Sequence, residues 1–397
     1  MKYKHLIGIA AGVALCIGVT ATVIGWQGDT TDSKYAHSKL SQLEKFLQKG
    51  YLGNIDNNQL ENSIYAGYVS ALEDSRTRYL NEEQLEEQQV LAKGQYMGTG
   101  MQFEWGINGR YIIVTDIIQG SPAERAKVKI GDKIIQIDSI KVMTSNELEL
   151  YKKLTYTGEE AVSYTVQDND GQNERQITLQ SEIIDRKEID YKLIENNIGY
   201  ISVFTIKEST SETLNECIRV LKEKGAKGFI MDIRNAYSNN IEEIYKMCNL
   251  LVDEDIVFKI KNKQGEFKEY KTQKAVYNDP VVVMINGRTQ GAIEALGAAV
   301  KYSKRGSVVG ETSSGTGLVS DIIPLQDHTG LMVSTGIIYT SEGKSLSGQG
   351  VKPDIEIKNP VEASIELLTT GKIQPQNDDQ LMEAIKQIHE MYNIGNK

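Results

Sequence analysis

From residue 199 onward, apolar positions arrive in short runs separated by amphipathic stretches. The runs are "GYISVF", "GFIMDI", "PVVVMI" and "SVVGE"; between them, apolar residues recur at helical spacing over 211–224, 241–252 and 292–302. Short apolar runs bounded by turn residues predict buried strands, and the stretches between them predict helices. Their alternation predicts crossover units and a mostly parallel sheet flanked by helices. "LVSDIIPL" and "LMVSTGIIYT" predict antiparallel additions to it. In such sheets chemistry sits at the carboxyl ends of the strands, where "MDIRNAYSN" and "INGRTQGA" fall.

The pattern upstream differs. Residues 33–93 are apolar at helical spacing in "LSQLEKFLQKGYL" and "LENSIYAGYVSALEDS" and contain no proline, which predicts a helical arm. From Gly94 short strands return: "YIIVTDII", "DKIIQID" and "AVSYTVQD". "SPAERAKV" between them opens a helix, with Ser121 as cap, Pro122 at the first helical position and Glu124 reaching back. Before all of this, Lys2 and Lys4 precede the uncharged "LIGIAAGVALCIGVTATVIGW", long enough to cross a bilayer. The lysines favour a cytoplasmic N-terminus, which puts the remaining chain outside. A cleaved signal peptide would have a shorter apolar core, and Leu15 spoils "VALC" as a lipidation box.

The expected organisation is α/β and α+β multidomain: a membrane anchor at 1–26, a helical arm at 27–93, a small domain at 94–182, a core at 183–372 and a C-terminal helical tail at 373–397. The formal charge of -10, without a concentrated basic surface, argues against a nucleic-acid partner. Cys217 falls on a helical face with Leu214, Ile218 and Leu221, and Cys248 with Ile244 and Leu251, so both read as buried thiols. His5, His37, His328 and His389 are scattered, and neither a metal site nor a cofactor is implied.

In order and spacing, "EDSRTRYL", "YMGTGMQF", "GSPAERAKVKIGDKIIQID", "GYISVF", "KGFIMDIRN", "VVVMINGRTQGAIEALGAAV", "SVVGETSSGTG" and "GKSLSGQGVKPDI" resemble the C-terminal processing, or tail-specific, serine peptidases. The resemblance implies a PDZ domain over 94–182 and a peptidase-fold core. The family uses a serine nucleophile, a neutral lysine as base and backbone amides for the oxyanion. Counting back from Glu294 in "NGRTQGAIE" puts the serine position at Gly291; the lysine position then falls on Thr316 and a third polar position, usually glutamine, on Ser320. The loop after "DIRN", normally Pro-Gly-Gly, reads Ala236-Tyr237-Ser238.

Glycine has nothing to attack with, and threonine is no base near neutral pH. Thr289 is two positions off along the turn and reads as a cap for the following helix; Ser313 and Ser314 read as loop residues. "GTGM" resembles a carboxylate-binding loop, which implies that Thr99, Gly100 and Met101 grip a free C-terminus, with Phe103 and Ile117 offering apolar contact. Three functions are carried forward. The first is an anchored, inactive homologue that binds protein C-termini and pairs with an active relative or another copy. The second is a live serine endopeptidase using Thr289, Ser313 or Ser314. The third is a structural envelope protein.

Overall fold

The computed structural model describes residues 33–395 except 75, 107–108, 156–157, 159, 186, 196, 273, 361–362 and 364–374. The expected span at 1–26 lies outside the described residues. Among those described, no helix is long and apolar enough to cross a membrane. The chain divides into two compact units, Met1–Glu61 and Asn62–Lys397.

The first unit holds α1 (Ser33–Gly50), which exposes Leu43, Phe46 and Leu47 on one face. Helix α2 (Asn57–Ser70) runs across the division. The helical arm expected at 27–93 is interrupted within its described part, 33–93, because β1 (Arg78–Leu80) intervenes and pairs antiparallel with residues 330–332. Leu80 buries against Leu85 and Met332, a tertiary contact that overrides local helical spacing. Helix α3 (Glu82–Ala92) then starts on Asn81, whose side chain and that of Gln84 cap each other's backbone amides.

The small domain contains β2 (Gln95–Gly98), β3 (Met101–Trp105), β4 (Ile112–Ile117), α4 (Pro122–Arg125), β5 (Lys133–Ile137), β6 (Ile140–Lys141), α5 (Glu147–Leu154), β7 (Val162–Gln167), β8 (Glu174–Leu179) and β9 (Glu182–Asp185). Its main sheet runs β3-β4-β5-β7-β8 with β6 on β5, all antiparallel, while β2 pairs with β9. Alternation along β7 buries Val162, Tyr164 and Val166 against Ile112, Val114, Ile134 and Leu150. Ser121 caps α4 as expected, but the Glu124 carboxylate accepts from Gly120 N–H at 2.7 Å, one residue before the cap.

The core follows with β10 (Ile189–Ile194), β11 (Ile198–Val203), α6 (Thr210–Glu223), β12 (Gly228–Asp232), β13 (Tyr237–Ser238), α7 (Ile241–Leu251), β14 (Phe258–Lys261), β15 (Phe267–Tyr270), β16 (Val281–Ile285), β17 (Gln290–Gly291), α8 (Glu294–Tyr302), β18 (Gly306–Gly310), β19 (Leu318–Pro324), β20 (Gly330–Thr340), β21 (Ile355–Glu356) and α9 (Asp379–Gly395). The six-stranded sheet β10-β11-β12-β16-β18-β21 is parallel except at β10-β11. A second, antiparallel sheet joins β1, β20, β14 and β15, with β19 on β20. The mostly parallel sheet expected for the core is thus present, but parallel pairing is confined to it and to the short β13-β17 bridge, so that over the whole described chain the sheets are mostly antiparallel.

Helices α6, α7 and α8 cover one face of the six-stranded sheet through Leu214, Ile218, Ile244, Met247 and Leu296. Cys217 and Cys248 are free and buried there, and burial raises the Cys217 thiol to about 11. The other face is covered by α9. Leu381, Ala384 and Ile388 pack on Ile198, Ile230, Val282, Met284 and Val309. The C-terminal helix is thus a layer of the core rather than a tail, and burying each of Leu381 and Ile388 stabilises it by about 2 kcal/mol.

Candidate functional site

The parallel strands end in two turns that hold each other. The Asn235 backbone N–H donates to Asn286 Oδ1 at 3.1 Å, and Asn286 Nδ2 donates back to Asn235 Oδ1 at 2.8 Å. Beside them the buried Arg234 guanidinium bonds to Asp232 at 2.6 Å and to Asp378 at 2.8 Å, tying the β12 end to the start of α9. Burial alone would lower the Arg234 pKa, but the two carboxylates hold it well above its ordinary value. Thr289 is fully buried; it accepts from Asn286 N–H at 3.1 Å and donates to the Ile233 carbonyl at 2.9 Å. Its hydroxyl closes the turn and does not cap α8, because the chain passes through two further residues of strand first.

Gly291 lies in β17, bridged in parallel to Ser238 of β13. Its φ is +80°, and a Cβ built on it would lie 2.3 Å from the Ser238 carbonyl oxygen. The next amide, Ala292 N–H, donates to that same oxygen at 2.7 Å, and Gln290 N–H donates to the Ala236 carbonyl at 3.1 Å. The Ala-Tyr-Ser segment is thus zipped onto the turn. The Gln290 and Ala292 amides are thereby engaged by carbonyls of that segment.

Below the turn, the fully buried Glu294 carboxylate gathers five donors. Oε1 accepts from the amides of Gly291 at 3.1 Å and Gly317 at 3.0 Å, and from Ser314 Oγ at 3.4 Å. Oε2 accepts from Ser313 Oγ at 2.5 Å and Gly315 N–H at 2.9 Å. Ser313 Oγ also accepts from Val351 N–H at 2.7 Å, so both loop serines serve the carboxylate. Burying an ion without a countercharge requires such a full donor set.

Thr316 Oγ1 sits 3.0 Å from Ser314 Oγ and accepts from Arg76 Nη2 at 3.4 Å. The same Arg76 nitrogen donates to Gln290 Oε1 at 3.0 Å, and the guanidinium lies 5.0 Å above the Tyr237 ring. Together Arg76, Arg78, Tyr237, Gln290, Thr316 and Met332 line a cavity of about 330 Å³. Ser320 is buried on β19, where its backbone N–H and carbonyl both bond to the Asn239 side chain. Thr316 therefore lines the cavity while Gly291 is buried beside it, next to Gln290, and among the described lining residues there is no lysine and no serine. A larger hollow of about 780 Å³ opens at the opposite strand ends, beside Ala226, Pro280 and Gly306, and contains none of these positions. Arg76 and Glu294 both lie inside the quoted signatures "EDSRTRYL" and "VVVMINGRTQGAIEALGAAV", but no role was expected of them, because their partners lie far along the chain, 214 residues in the case of Arg76 and Gln290.

In the small domain, Thr99 and Met101 are buried and Phe103 and Ile117 half-buried, the last three packed on its core. Their side chains brace the loop, leaving its backbone as the part that can meet a ligand. Gly100 has φ +82°, and a Cβ there would approach Ser121 Cβ to 2.1 Å. The Thr99 carbonyl accepts from Ala123 N–H at 3.0 Å, which fixes the loop on α4. β3 is an edge strand: among the described residues nothing pairs with its outer side. Such an edge can accept an added strand.

Residues 197–357 match peptidase family S41, and residues 113–167 match a PDZ domain. The carboxy-terminal processing protease CtpA of Bacillus subtilis (strain 168) is 27% identical over 376 residues, 93% of this chain and 79% of that protein. A probable CtpA-like serine protease of Staphylococcus haemolyticus (strain JCSC1435) is 24% identical over 370 residues, 92% of this chain and 73% of that one. Among solved structures, the photosystem II D1 C-terminal processing protease shares the fold with a TM-score of 0.51 at 23% identity, covering 82% of this chain and 88% of that one.

Proposed function

Because this chain belongs to the C-terminal processing peptidase family with a PDZ domain, we propose that it retains the family's binding function and has lost its chemistry. It is a membrane-anchored extracytoplasmic homologue that binds protein C-termini through the edge strand β3 and the Thr99–Met101 loop. The observation that carries the reading is that, at the positions the resemblance assigns to serine and lysine, Gly291 is bridged to backbone and Thr316 is bonded by Arg76. Ser313, Ser314 and Thr289, the hydroxyls offered as substitutes for the nucleophile, are engaged by Glu294 or by backbone. Regulation of an active relative follows naturally, since a protein that holds tails without cutting them competes for, or presents, the same substrates. The apolar stripe of α1 is the surface we assign to pairing with that relative or a second copy.

The test is direct. The full chain, incubated with peptides ending in free apolar residues, should bind them without cleavage, and a fluorophosphonate probe should leave it unlabelled. Labelling at Thr289, Ser313 or Ser314 with peptide turnover would instead establish a rearranged endopeptidase. Neither binding nor labelling would leave a structural envelope role.

A further inference from the structure

We propose that the cavity beside Gln290 and Thr316 is a binding site for a peptide carboxylate, gripped by Arg76 with Arg78 as the second charge. This rests on the reading above, in which the cleft no longer cuts amide bonds. Both hydrogen bonds from the Arg76 guanidinium go from Nη2 to neutral acceptors, Gln290 Oε1 and Thr316 Oγ1. A guanidinium carries five N–H donors, so Nη1 and Nε remain available. The Tyr237 ring, 5.0 Å away, supports one face of the guanidinium, and Gln290 fixes its rotation. The fork is held in place before a ligand arrives, which lowers the ordering cost of binding.

The charge balance points the same way. Among the described residues neither Arg76 nor Arg78 forms an ion pair, and no Asp or Glu lines the cavity. The nearby Glu294 carboxylate already accepts from five donors belonging to its own loop and turn. In a chain of formal charge -10, two uncompensated arginines around one hollow of about 330 Å³ call for an external anion. A planar fork matches the two oxygens of a carboxylate, and Met332 and the Tyr237 ring suit the aliphatic stem of an acidic residue. The carboxylate can come from a glutamate side chain or from a free C-terminus.

Two labelled peptides separate these sources: acetyl-Ala-Ala-Glu-Ala-Ala-amide, whose blocked end cannot occupy the β3 loop, and a free-acid acetyl-Ala-Ala-Ala-Ala-Val. Fluorescence anisotropy with the full chain should show binding of the amidated Glu peptide that weakens about tenfold in Arg76→Gln and less in Arg78→Gln. Replacing Glu by Gln in the peptide should cost the same factor in the unchanged chain and nothing further in Arg76→Gln. Arginine dependence of the free-acid peptide alone would assign the site to chain termini. If neither peptide's affinity responds to either arginine, or if only inorganic phosphate binds through Arg76, the carboxylate site is wrong. Mass spectrometry of the same mixtures keeps the two readings apart: cleaved peptide would overturn the loss of chemistry and leave the arginine result standing.

Discussion

The Cα of Gly291 faces the carbonyl oxygen of Ser238 so closely that a Cβ between them would sit 2.3 Å from that oxygen. The two residues are bridged in parallel, and the bridge is sealed by the Ala292 N–H bond of 2.7 Å. Restoring the family's pair with Gly291→Ser and Thr316→Lys should therefore fail twice. The serine meets backbone at a φ of +80° and should destabilise the chain by about 2 kcal/mol or more. The Gln290 and Ala292 amides of the turn stay bonded to the Ala236 and Ser238 carbonyls, so none of these is free to hold an oxyanion. Urea unfolding and a peptide cleavage assay check both parts, and measurable turnover by the double variant would refute the argument.

Glu294 gives a second prediction. A carboxylate offers two acceptor oxygens to its five donors, whereas an amide would point an NH₂ at some of them. Glu294→Gln should cost about 2–4 kcal/mol of stability and loosen loop 313–317. Denaturant midpoints and amide exchange at Gly315 and Gly317 measure this, with fast exchange expected in the variant.

The binding loop of the small domain depends on Gly100. Its φ of +82° and the 2.1 Å approach that a Cβ would make to Ser121 leave no room for alanine. Gly100→Ala should destabilise the chain by about 2 kcal/mol and abolish binding of free-tail peptides. Anisotropy should at the same time leave the amidated Glu peptide's affinity unchanged.

Acid should weaken one link between helices. Burial pushes the Glu243 pKa up, but the Ser211 amide at 2.6 Å and the Lys246 amine at 3.0 Å more than offset it, and the carboxyl ends below its ordinary 4.5. A folded pKa below the unfolded one means the contribution is complete above about pH 4.5 and fades as pH falls through and beneath it. The stability difference between the unchanged chain and Glu243→Gln should therefore shrink between neutral pH and pH values below 4.5. An unchanged difference would show that this carboxylate is not the titrating group.

Much of the fold is legible in the order of residues alone. Leu214, Ile218 and Leu221 recur at helical spacing because one side of α6 had to bury them, and Ser121-Pro122 marks the start of α4 by local backbone chemistry. β1 is not legible that way: Tyr79 and Leu80 follow a helical stretch, and only pairing with residues 330–331 makes them strand. The α9 pattern is visible as a helix, but what Leu381 and Ile388 cover depends on strands far back in the chain.

The order of residues determined which side chains stand at the positions the resemblance assigns: Gly291 carries no nucleophilic atom and Thr316 no amine, whatever the fold. What surrounds those positions was decided only in three dimensions. Arg76 reaches Gln290 across 214 residues of chain, and Glu294 collects donors from a loop about twenty residues on, because packing the parallel strand ends together concentrates backbone amides and charge in one small volume. Proximity of that kind follows from the sheet, and no local periodicity encodes it.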